Sequence, residues 1–411
     1  MAKKIAIVGA GAAGMMSAVM LLRAGFEVDI FEQNSKAGKK ILVSGNGHCN
    51  ITNKNQSPEY YLLDNNQFIQ GILSRFDFKK LETYLNSLGL NIFSKSDGKA
   101  YPLSYEAKSV VLIFTQTLQK LGGKIFYEHK ITDINKRGLF CITCKQGLFD
   151  GYDSVIITSG GPAAPRLGGN DSGHTLARSF GHTIVPAYPV LVPLVLDFAH
   201  AKELSGVKTY AKTTLFVNNK QEMTIYGDIL FTKYGISGLA ILDISLYVSL
   251  AILNHQRVSL SLNLLPAFDR QTLARQIVKL CKNVPYMSIF TILSGMLSHK
   301  LASVILKTLG VDADLTASQI NQKQINHISN SITNFKVQVT NTRGFEYAEA
   351  AGGGVSIDEI DAKTMESKKC KNLYFAGEVL DVVGKRGGYN FHFAFASGFL
   401  AAKGIKTVNT K

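Results

Sequence analysis

The first 32 residues constrain the fold more than any other part of the chain. A short apolar run leads into Gly9, Gly11 and Gly14 in a Gly-x-Gly-x-x-Gly spacing, and an apolar helical pattern follows from Met15 to Ala24. Glu32 ends the next alternating segment. In a strand–turn–helix of this kind the first glycine makes the tight turn, the second admits a pyrophosphate, and the third lets the helix pack on the strand. The pattern predicts a βαβ unit that binds a dinucleotide, with a carboxylate for the ribose diol.

A second motif, residues 38–53, follows this acid at the position where FAD enzymes extend a loop toward the flavin. The segment is rich in glycine and carries the polar side chains of Ser44, Asn50 and Thr52. These residues offer hydrogen-bond donors and a close approach of the backbone to a ligand. A polar connecting loop explains the same composition, so the segment alone leaves both interpretations open.

A third motif lies near the other end of the chain. A buried strand pattern ends at Gly377 and Glu378, and a glycine-rich helix start follows at residues 387–390. The carboxylate of Glu378 can accept hydrogen bonds from the ribityl chain of a flavin. The free N–H groups at the helix start can stabilise negative charge on the reduced flavin ring. Since the first and third motifs lie at opposite ends of the sequence, they predict a discontinuous flavin domain.

Periodicity between these motifs predicts the architecture. Short alternating runs follow Pro186, and helical patterns follow residue 266. These patterns predict an α/β fold class: a discontinuous Rossmann-like domain with an insertion that begins as a small antiparallel sheet or barrel and continues with helices. The predicted boundaries are 1–186 for the first part of the FAD domain, 187–265 for the barrel, closed by a strand around 333–343, 266–332 for the helical subdomain, and 344–411 for the second part.

Composition excludes several classes of protein. The 411 residues include 45 Lys and Arg against 30 Asp and Glu, a net charge of +15 that favours a polyanionic partner. Five scattered cysteines argue against a disulfide scaffold, and Cys141 and Cys144 lack the second pair that a zinc site needs. The longest apolar stretch, residues 237–253, contains Asp243 and is too short for a membrane span. With no signal peptide evident, we expect a cytoplasmic protein without a metal and without a membrane anchor.

Four segments together resemble the YhiN/BaiN-like family of FAD-dependent flavoproteins. The segments are Gly9–Gly14, Lys40–Asn53, Gly227–Gly238, and Phe375–Asp381 with Gly387–Asn390. They occur in order along nearly the whole chain. The resemblance implies the family fold, a discontinuous Rossmann-like FAD-binding domain of the glutathione-reductase type with inserted β-barrel and helical subdomains, which agrees with the architecture predicted above. The motifs and the resemblance together predict that FAD is bound by Gly9, Gly11, Ala13, Gly14, Glu32, Lys40, Ser44, Gly45, Asn50, Ile131, Ser159, Gly160, Gly377, Glu378, Gly387, Gly388, Tyr389 and Asn390.

The chain departs from the family pattern at two places. The family loop usually reads Gly-Gly-Gly-Arg-Cys-Asn, whereas in this chain Asn46 and His48 replace a glycine and the arginine. The family's closing helix usually continues with Leu-Gln-Trp-Ala-Trp, whereas this chain has Phe391-His392-Phe-Ala-Phe395. Substrate contacts are therefore expected to differ at these positions.

Family members include ribosomal RNA dihydrouridine synthases, an amine oxidase acting on aminoacetone, and proteins linked to bile-acid reduction. The leading hypothesis is reduction of a uridine of 23S ribosomal RNA by FADH2, with ribosomal RNA as the partner. Cys49 is the first candidate for the acid that protonates C5, and His48 is the second. The sequence contains no second Gly-x-Gly-x-x-Gly, so a separate domain for NAD(P)H is not expected. NAD(P)H is therefore expected to bind transiently at the flavin and to supply the electrons. The sequence does not specify an oligomeric state.

Two other functions remain open on the sequence alone. One is a small-molecule flavoenzyme, either an amine oxidase of the aminoacetone type or a C=C reductase, and the other is a non-catalytic FAD-containing protein that binds RNA or the ribosome. The positive charge is spread along the sequence, so no single run defines a nucleic-acid patch. Candidate sites for a phosphate track are the basic pairs Lys39–Lys40, Lys79–Lys80, Lys136–Arg137 and Lys385–Arg386.

Overall fold

A computed structural model describes residues 3–62 and 66–409, and the chain forms two compact units. The first unit contains residues up to Tyr188 together with residues from Ala350 onward, and the second contains Pro189–Glu349.

The strands of the two units, in chain order, are β1 (Lys4–Val8), β2 (Glu27–Glu32), β3 (Thr52–Asn53), β4 (Tyr61–Leu62), β5 (Ile92–Ser94), β6 (Lys99–Pro102), β7 (Lys124–Tyr127), β8 (Ile131–Arg137), β9 (Leu139–Cys144), β10 (Gly147–Tyr152), β11 (Ser154–Ile157), β12 (Ile184–Val190), β13 (Leu194–Asp197), β14 (Lys208–Val217), β15 (Lys220–Thr232), β16 (Gly235–Ser237), β17 (Val258–Asn263), β18 (Phe335–Thr342), β19 (Ala350–Val355), β20 (Leu373–Phe375) and β21 (Val383–Gly384).

The α-helices are α1 (Ala12–Leu22), α2 (Lys39–Val43), α3 (Asn66–Arg75), α4 (Phe78–Asn86), α5 (Ala107–Lys120), α6 (Ser172–Ser179), α7 (Ala201–Leu204), α8 (Leu239–Leu253), α9 (Arg270–Asn283), α10 (Ile289–Ser294), α11 (His299–Leu309), α12 (Gln322–Thr333) and α13 (Tyr389–Asn409). Short 3-10 turns cover Ser44–Gly47, Pro58–Tyr60, Pro165–Leu167, Phe345–Tyr347 and Ile357–Glu359.

The first unit is built on a parallel five-stranded sheet in the order β20-β11-β1-β2-β7. Strand β20 comes from the C-terminal piece and pairs with β11 of the N-terminal piece, with Leu373 opposite Val155. Strand β11 is entirely buried, as expected of a parallel strand covered on both faces. The predicted α/β fold class, with a discontinuous Rossmann-like domain, is therefore confirmed.

Helices α1 and α13 pack unusually closely on one another. The Ser17 hydroxyl donates to the Gly398 carbonyl at 2.8 Å, and a Cβ atom placed on Gly398 would lie 2.4 Å from the Ala13 carbonyl oxygen. Only glycine at position 398 permits this approach. The contact fixes the C-terminal helix against the helix of the Gly-x-Gly-x-x-Gly motif, which brings the two ends of the sequence to the same part of the unit.

The second unit contains a closed barrel of strands β13-β16-β15-β14-β17-β18 and several helices. Strand β18 pairs with both β13 and β17 and so closes the barrel. Residues 239–253, within the segment expected to form short strands, instead form helix α8. This stretch is apolar on nearly every side, so its periodicity does not separate a helix from a strand. None of the helices in the described ranges is long and apolar enough to cross a membrane.

A buried ionic network supports the first unit away from the glycine motif. His182 is 4% exposed, with Nδ1 2.9 Å from Oε2 of Glu359 and Nε2 2.7 Å from Oγ of Ser367. The Lys369 ammonium lies 2.6 Å from the other oxygen of Glu359. Burial opposes ionisation of Glu359, but hydrogen bonds from Lys369, Thr183 and His182 lower its pKa to about 2. Burial also lowers the pKa of His182.

The order Ser367–His182–Glu359 resembles the triad of a hydrolase. The Ser367 hydroxyl, however, is in a residue only 6% exposed, and its oxygen accepts the backbone N–H groups of Lys369 and Cys370. A nucleophile must reach its substrate, so this network has a structural role.

We expect that the free energy of unfolding of Glu359→Gln will fall less steeply with decreasing pH than that of the unaltered protein. The unfolded chain protonates this carboxylate near its ordinary pKa of 4.5 and the folded chain near 2, so its stabilisation is full above 4.5 and is lost as the pH falls toward 2. His182 also makes the folded state less stable as the pH falls below 6.5, because its lowered pKa means that the unfolded chain takes up the proton more readily. The variant should lose about 1–3 kcal/mol at neutral pH, as expected when a hydrogen-bonded charge is removed.

Urea unfolding midpoints at neutral and acid pH measure this effect. Glu27→Gln, at an exposed position of β2, is the matched control and should leave the pH dependence unchanged. Equal pH dependence in Glu359→Gln and in the unaltered protein would contradict the assignment.

Candidate functional site

The turn between β1 and α1 needs glycine at two of its three motif positions for reasons internal to the protein. Gly9 has a φ of 105°, and a Cβ atom there would lie 2.7 Å from the Thr158 carbonyl oxygen. A Cβ atom on Gly14 would lie 2.0 Å from the Gly9 carbonyl oxygen. The first glycine therefore makes the turn and the third lets α1 pack on β1, as the spacing predicts.

Gly11 differs from both of its partners in the motif. Its φ of −84° is open to any residue, and a Cβ atom there would meet no protein atom within 4 Å. The fold therefore does not require glycine at position 11. The first turn of α1 carries no acidic residue, and the free N–H groups and dipole at the N-terminus of a helix attract an anion. This cradle, which a side chain would fill, fits the pyrophosphate of FAD.

Glu32 stands at the end of β2 and is 6% exposed. Its carboxylate accepts hydrogen bonds from the backbone N–H groups of Ala10 and Asn34, both at 2.8 Å, and from the Asn34 amide at 2.7 Å. An ionised carboxylate offers about four acceptor positions, so one remains for a ribose hydroxyl. The protein donors fix the orientation that this contact needs.

Lys40 and Glu378, predicted separately for the cofactor, meet in the structure although 338 residues separate them. The Lys40 ammonium lies 2.6 Å from Oε2 of Glu378, and Oε1 of Glu378 accepts the Ala351 N–H at 2.8 Å. Gly160 lies beside this pair, since a Cβ atom on it would come 3.7 Å from Oε2 of Glu378. Three distant segments thus contribute to one polar site.

Further residues predicted for the cofactor are Gly377, Ser159 and Ile131. Gly377 has a φ of 79°, and a Cβ atom on it would lie 3.1 Å from Cβ of Ala13. The buried hydroxyl of Ser159 has no hydrogen-bond partner in the structure. Ile131 is 3% exposed at the start of β8, two residues after His129, whose N–H donates to the Glu32 carbonyl at 2.9 Å. The side chain of Ile131 packs in the core, so only its backbone is available to a ligand.

The loop that precedes β3 is fastened to the start of α13. Gly388 has a φ of 95°, and a Cβ atom on it would lie 2.5 Å from the Thr52 carbonyl oxygen and 2.8 Å from Oδ1 of Asn50. The Asn53 amide donates to the Gly387 carbonyl at 3.1 Å. Oδ1 of Asn50 is buried without a hydrogen-bond partner, which suits a donor supplied by a ligand.

His392, in α13, also connects this helix to the loop before β3, a role that the sequence does not reveal. It is completely buried, with Nδ1 2.8 Å from the Thr52 hydroxyl and Nε2 3.1 Å from the Phe76 carbonyl oxygen. Burial lowers the pKa of His392 to about 4. The neutral ring therefore donates from Nε2 to Phe76 and accepts at Nδ1 from Thr52. The only sequence signal was the departure from the family pattern at this position.

The side chains of Tyr389 and Asn390 are committed within the protein. The Tyr389 ring is buried and stacks on Tyr60 with centroids 4.6 Å apart. The Asn390 amide makes two hydrogen bonds to the Gly384 backbone, at 2.7 Å and 2.9 Å. These two residues therefore offer their backbone N–H groups, at the start of α13, rather than their side chains.

The segment expected to be a continuous loop begins with the short helix α2 and then turns through two left-handed residues, Gly45 with φ 55° and Asn46 with φ 56°. The Ser44 hydroxyl donates to the Ile41 carbonyl at 2.7 Å, which caps α2. Helix α2 therefore ends at Val43 because the Ser44 hydroxyl caps it and because the two left-handed residues that follow cannot continue a right-handed helix.

The two candidate acids lie on this loop in different surroundings. Cys49 is completely buried, and burial, opposed by a hydrogen bond with Ser44, raises the pKa of its thiol to about 12. His48 is half-buried, with Nδ1 2.8 Å from the Tyr105 carbonyl oxygen and its ring stacked 4.0 Å from the Tyr105 ring. Burial thus keeps the Cys49 thiol protonated and away from solvent, whereas the His48 ring is partly exposed. Across the described ranges, no group of three or more His, Cys, Asp or Glu side chains is arranged to hold a metal ion.

Comparisons with known proteins identify the family of the chain. A family model described as an HI0933-like protein Rossmann domain matches residues 3–404. The chain is 30% identical over 403 residues to the 3-dehydro-bile acid delta(4,6)-reductase of Clostridium scindens, covering 97% of this chain and 98% of that protein. It is also 30% identical over 401 residues to the ribosomal RNA dihydrouridine synthase of Escherichia coli, covering 97% of each chain.

Among solved structures, the 3-ketosteroid delta1-dehydrogenase of Sterolibacterium denitrificans matches with a TM-score of 0.54 and 10% identity. The match covers 98% of this chain and 99% of that one. At this identity the likeness is one of fold.

Proposed function

Since the chain belongs to the HI0933-like Rossmann-domain family of FAD-dependent oxidoreductases, we propose that it reduces a uridine of 23S ribosomal RNA to dihydrouridine in the cytoplasm. Relatives of equal identity carry two kinds of name, a ribosomal RNA dihydrouridine synthase and a bile-acid reductase. The observation that favours RNA is the net charge of +15, because such an excess attracts a polyanion more strongly than a metabolite with a single carboxylate.

The proposed cofactor site follows from the geometry around α1 and α13. Gly11 and the α1 N-terminus would bind the pyrophosphate, and Glu32 the ribose. Lys40 with Glu378, Asn50 and the start of α13 would hold the flavin end. Reduced FAD, when bound, supplies the hydride for C6 of the uracil ring, and NAD(P)H is the proposed transient source of its electrons.

Saturation of the C5–C6 bond also requires one proton at C5. We propose that the loop carrying His48 and Cys49 supplies it. The Nδ1–H of His48 donates to the Tyr105 carbonyl, so Nε2 would deliver a proton only from the doubly protonated ring. Cys49 carries its proton on sulfur but is completely buried, so the partly exposed His48 is the better placed of the two. The hydride and the proton together convert the C5–C6 double bond to a single bond with no other co-reactant.

Deletion of the gene tests the substrate. We expect one dihydrouridine of 23S ribosomal RNA to disappear, to return on expression of the intact chain, and to stay absent on expression of a Gly11→Val chain. Mass spectrometry of nuclease fragments measures each state. An unchanged dihydrouridine content in the deletion strain would contradict the proposal.

A small-molecule flavoenzyme is the second candidate, supported by the equal identity to the bile-acid reductase. It predicts rapid oxidation of the reduced protein by a free metabolite, such as an enone, or peroxide release with aminoacetone as the amine substrate. Bound flavin that NADH, NADPH and dithionite all fail to reduce would leave only the non-catalytic RNA-binding alternative.

A further inference from the structure

Four aromatic rings lie together on the β5–β6 hairpin and the segments beside it. We call Phe93, Tyr101, Tyr105 and His48 the aromatic cluster. The Tyr101 and Tyr105 centroids are 5.2 Å apart, the Phe93 ring is 6.1 Å from Tyr101, and the His48 ring lies 4.0 Å from Tyr105 at an interplanar angle of 20°. All four side chains are half-buried, and the hydrophobic core of the unit does not include them.

A cation lies beside these rings. The exposed Lys95 ammonium donates to the Tyr105 hydroxyl at 2.7 Å and lies 4.7 Å from the centroids of both Tyr101 and Tyr105. The nearby Asp97 carboxylate is already paired, since Lys99 lies 2.7 Å from it. The local surface therefore combines aromatic faces with positive charge.

The aromatic cluster borders the loop proposed to hold the flavin. A Cβ atom on Gly45 would lie 3.4 Å from the backbone nitrogen of Asn50 and 4.0 Å from a ring carbon of Tyr101. His48 belongs to the cluster and also precedes Cys49 in the loop. A ring stacked on the cluster would therefore lie next to His48, one of the two candidate proton donors.

We infer that the aromatic cluster is the platform on which an unpaired nucleotide of RNA stacks, while Lys95 binds an adjoining phosphate. Single-stranded nucleic acid is held by this combination of aromatic faces and cations, and an unstacked base is what an enzyme acting on a base must receive. A bile acid offers a cation one carboxylate on a largely apolar body, whereas a strand of RNA offers a phosphate beside every base that can stack. The inference rests on the proposed function and specifies the form of its substrate.

RNA binding by the full-length, FAD-loaded protein tests the platform. The probe is a fluorescent oligouridylate of about a dozen nucleotides, within the roughly 4–16 nucleotides typical of such sites, compared with an RNA duplex of equal length by anisotropy. Tyr101→Ala and Phe93→Ala should each weaken binding roughly 5- to 100-fold, the effect of one lost base–aromatic stack. Tyr101→Phe should stay within about twofold because the stacking face remains.

Lys95→Gln should lower the dependence of binding on salt by about 0.7 in the log–log slope, the change expected for one lost phosphate contact on a single strand. Tyr286→Ala removes a tyrosine that is 74% exposed in the other unit and is the matched control; it should bind as the unaltered protein does. The flavin content of each variant reports whether the first unit is folded.

The outcomes separate the platform from the proposed function. Binding unchanged in Tyr101→Ala, Phe93→Ala and Lys95→Gln, or duplex bound as tightly as the single strand, would overturn the platform even if the deletion strain lost its dihydrouridine. Binding weakened in the variants as described, with dihydrouridine unchanged in the deletion strain, would support the platform and refute the proposed reaction.

Discussion

The Gly11→Val substitution is expected to leave the protein folded and to abolish FAD binding. No protein atom lies within 4 Å of the place where its Cβ atom would sit, and the backbone there has a φ of −84°, which valine accepts. The side chain would instead occupy the space in front of the α1 N-terminus, where the pyrophosphate is expected. Visible flavin absorbance per mole of protein measures the loss, and thermal unfolding of the flavin-free protein measures the fold.

Gly14→Ala provides the contrasting control. Its Cβ atom would lie 2.0 Å from the Gly9 carbonyl oxygen, so α1 would have to move away from β1. We expect the free energy of unfolding of this variant to be lower by several kcal/mol, as much as or more than the usual cost of overpacking a core. A folded Gly11→Val protein that retains a full flavin spectrum would refute the pyrophosphate assignment.

Removal of the proton donor should produce the second large effect. General acids contribute roughly 10²- to 10⁴-fold to a rate, so the variant that removes the true donor should slow reoxidation of the flavin by substrate by that factor. Reduction of the flavin by NAD(P)H requires no proton at C5 and should continue. Cys49→Ala and His48→Asn test the two candidates separately, and stopped-flow measurement of both half-reactions distinguishes the steps.

The surroundings of the two residues make the results informative. Cys49 is completely buried, so Cys49→Ala also leaves a small space in the core, and flavin content must be checked before the rate is interpreted. His48 is half-buried, and an asparagine amide can still donate to the Tyr105 carbonyl. Undiminished reoxidation in both variants would exclude this loop as the source of the proton.

The local part of the cofactor site could be predicted because its signals are short in sequence. The turn at Gly9, the packing at Gly14 and the acid at Glu32 all follow from one strand, one helix and the next strand. Helix α8 could not be predicted in the same way, because residues 239–253 are apolar on nearly every side and their surroundings, not their periodicity, select a helix.

The sequence by itself determined the Rossmann-type FAD domain and its division into two pieces, since backbone sterics and hydrophobic periodicity act over a few residues. Only the tertiary structure placed the Lys40 ammonium 2.6 Å from Glu378, fastened Thr52 to His392, and gathered Tyr101, Tyr105 and His48 beside the loop. These partners lie as far as 340 residues apart. Their meeting depends on how strands and helices pack, which no local pattern encodes.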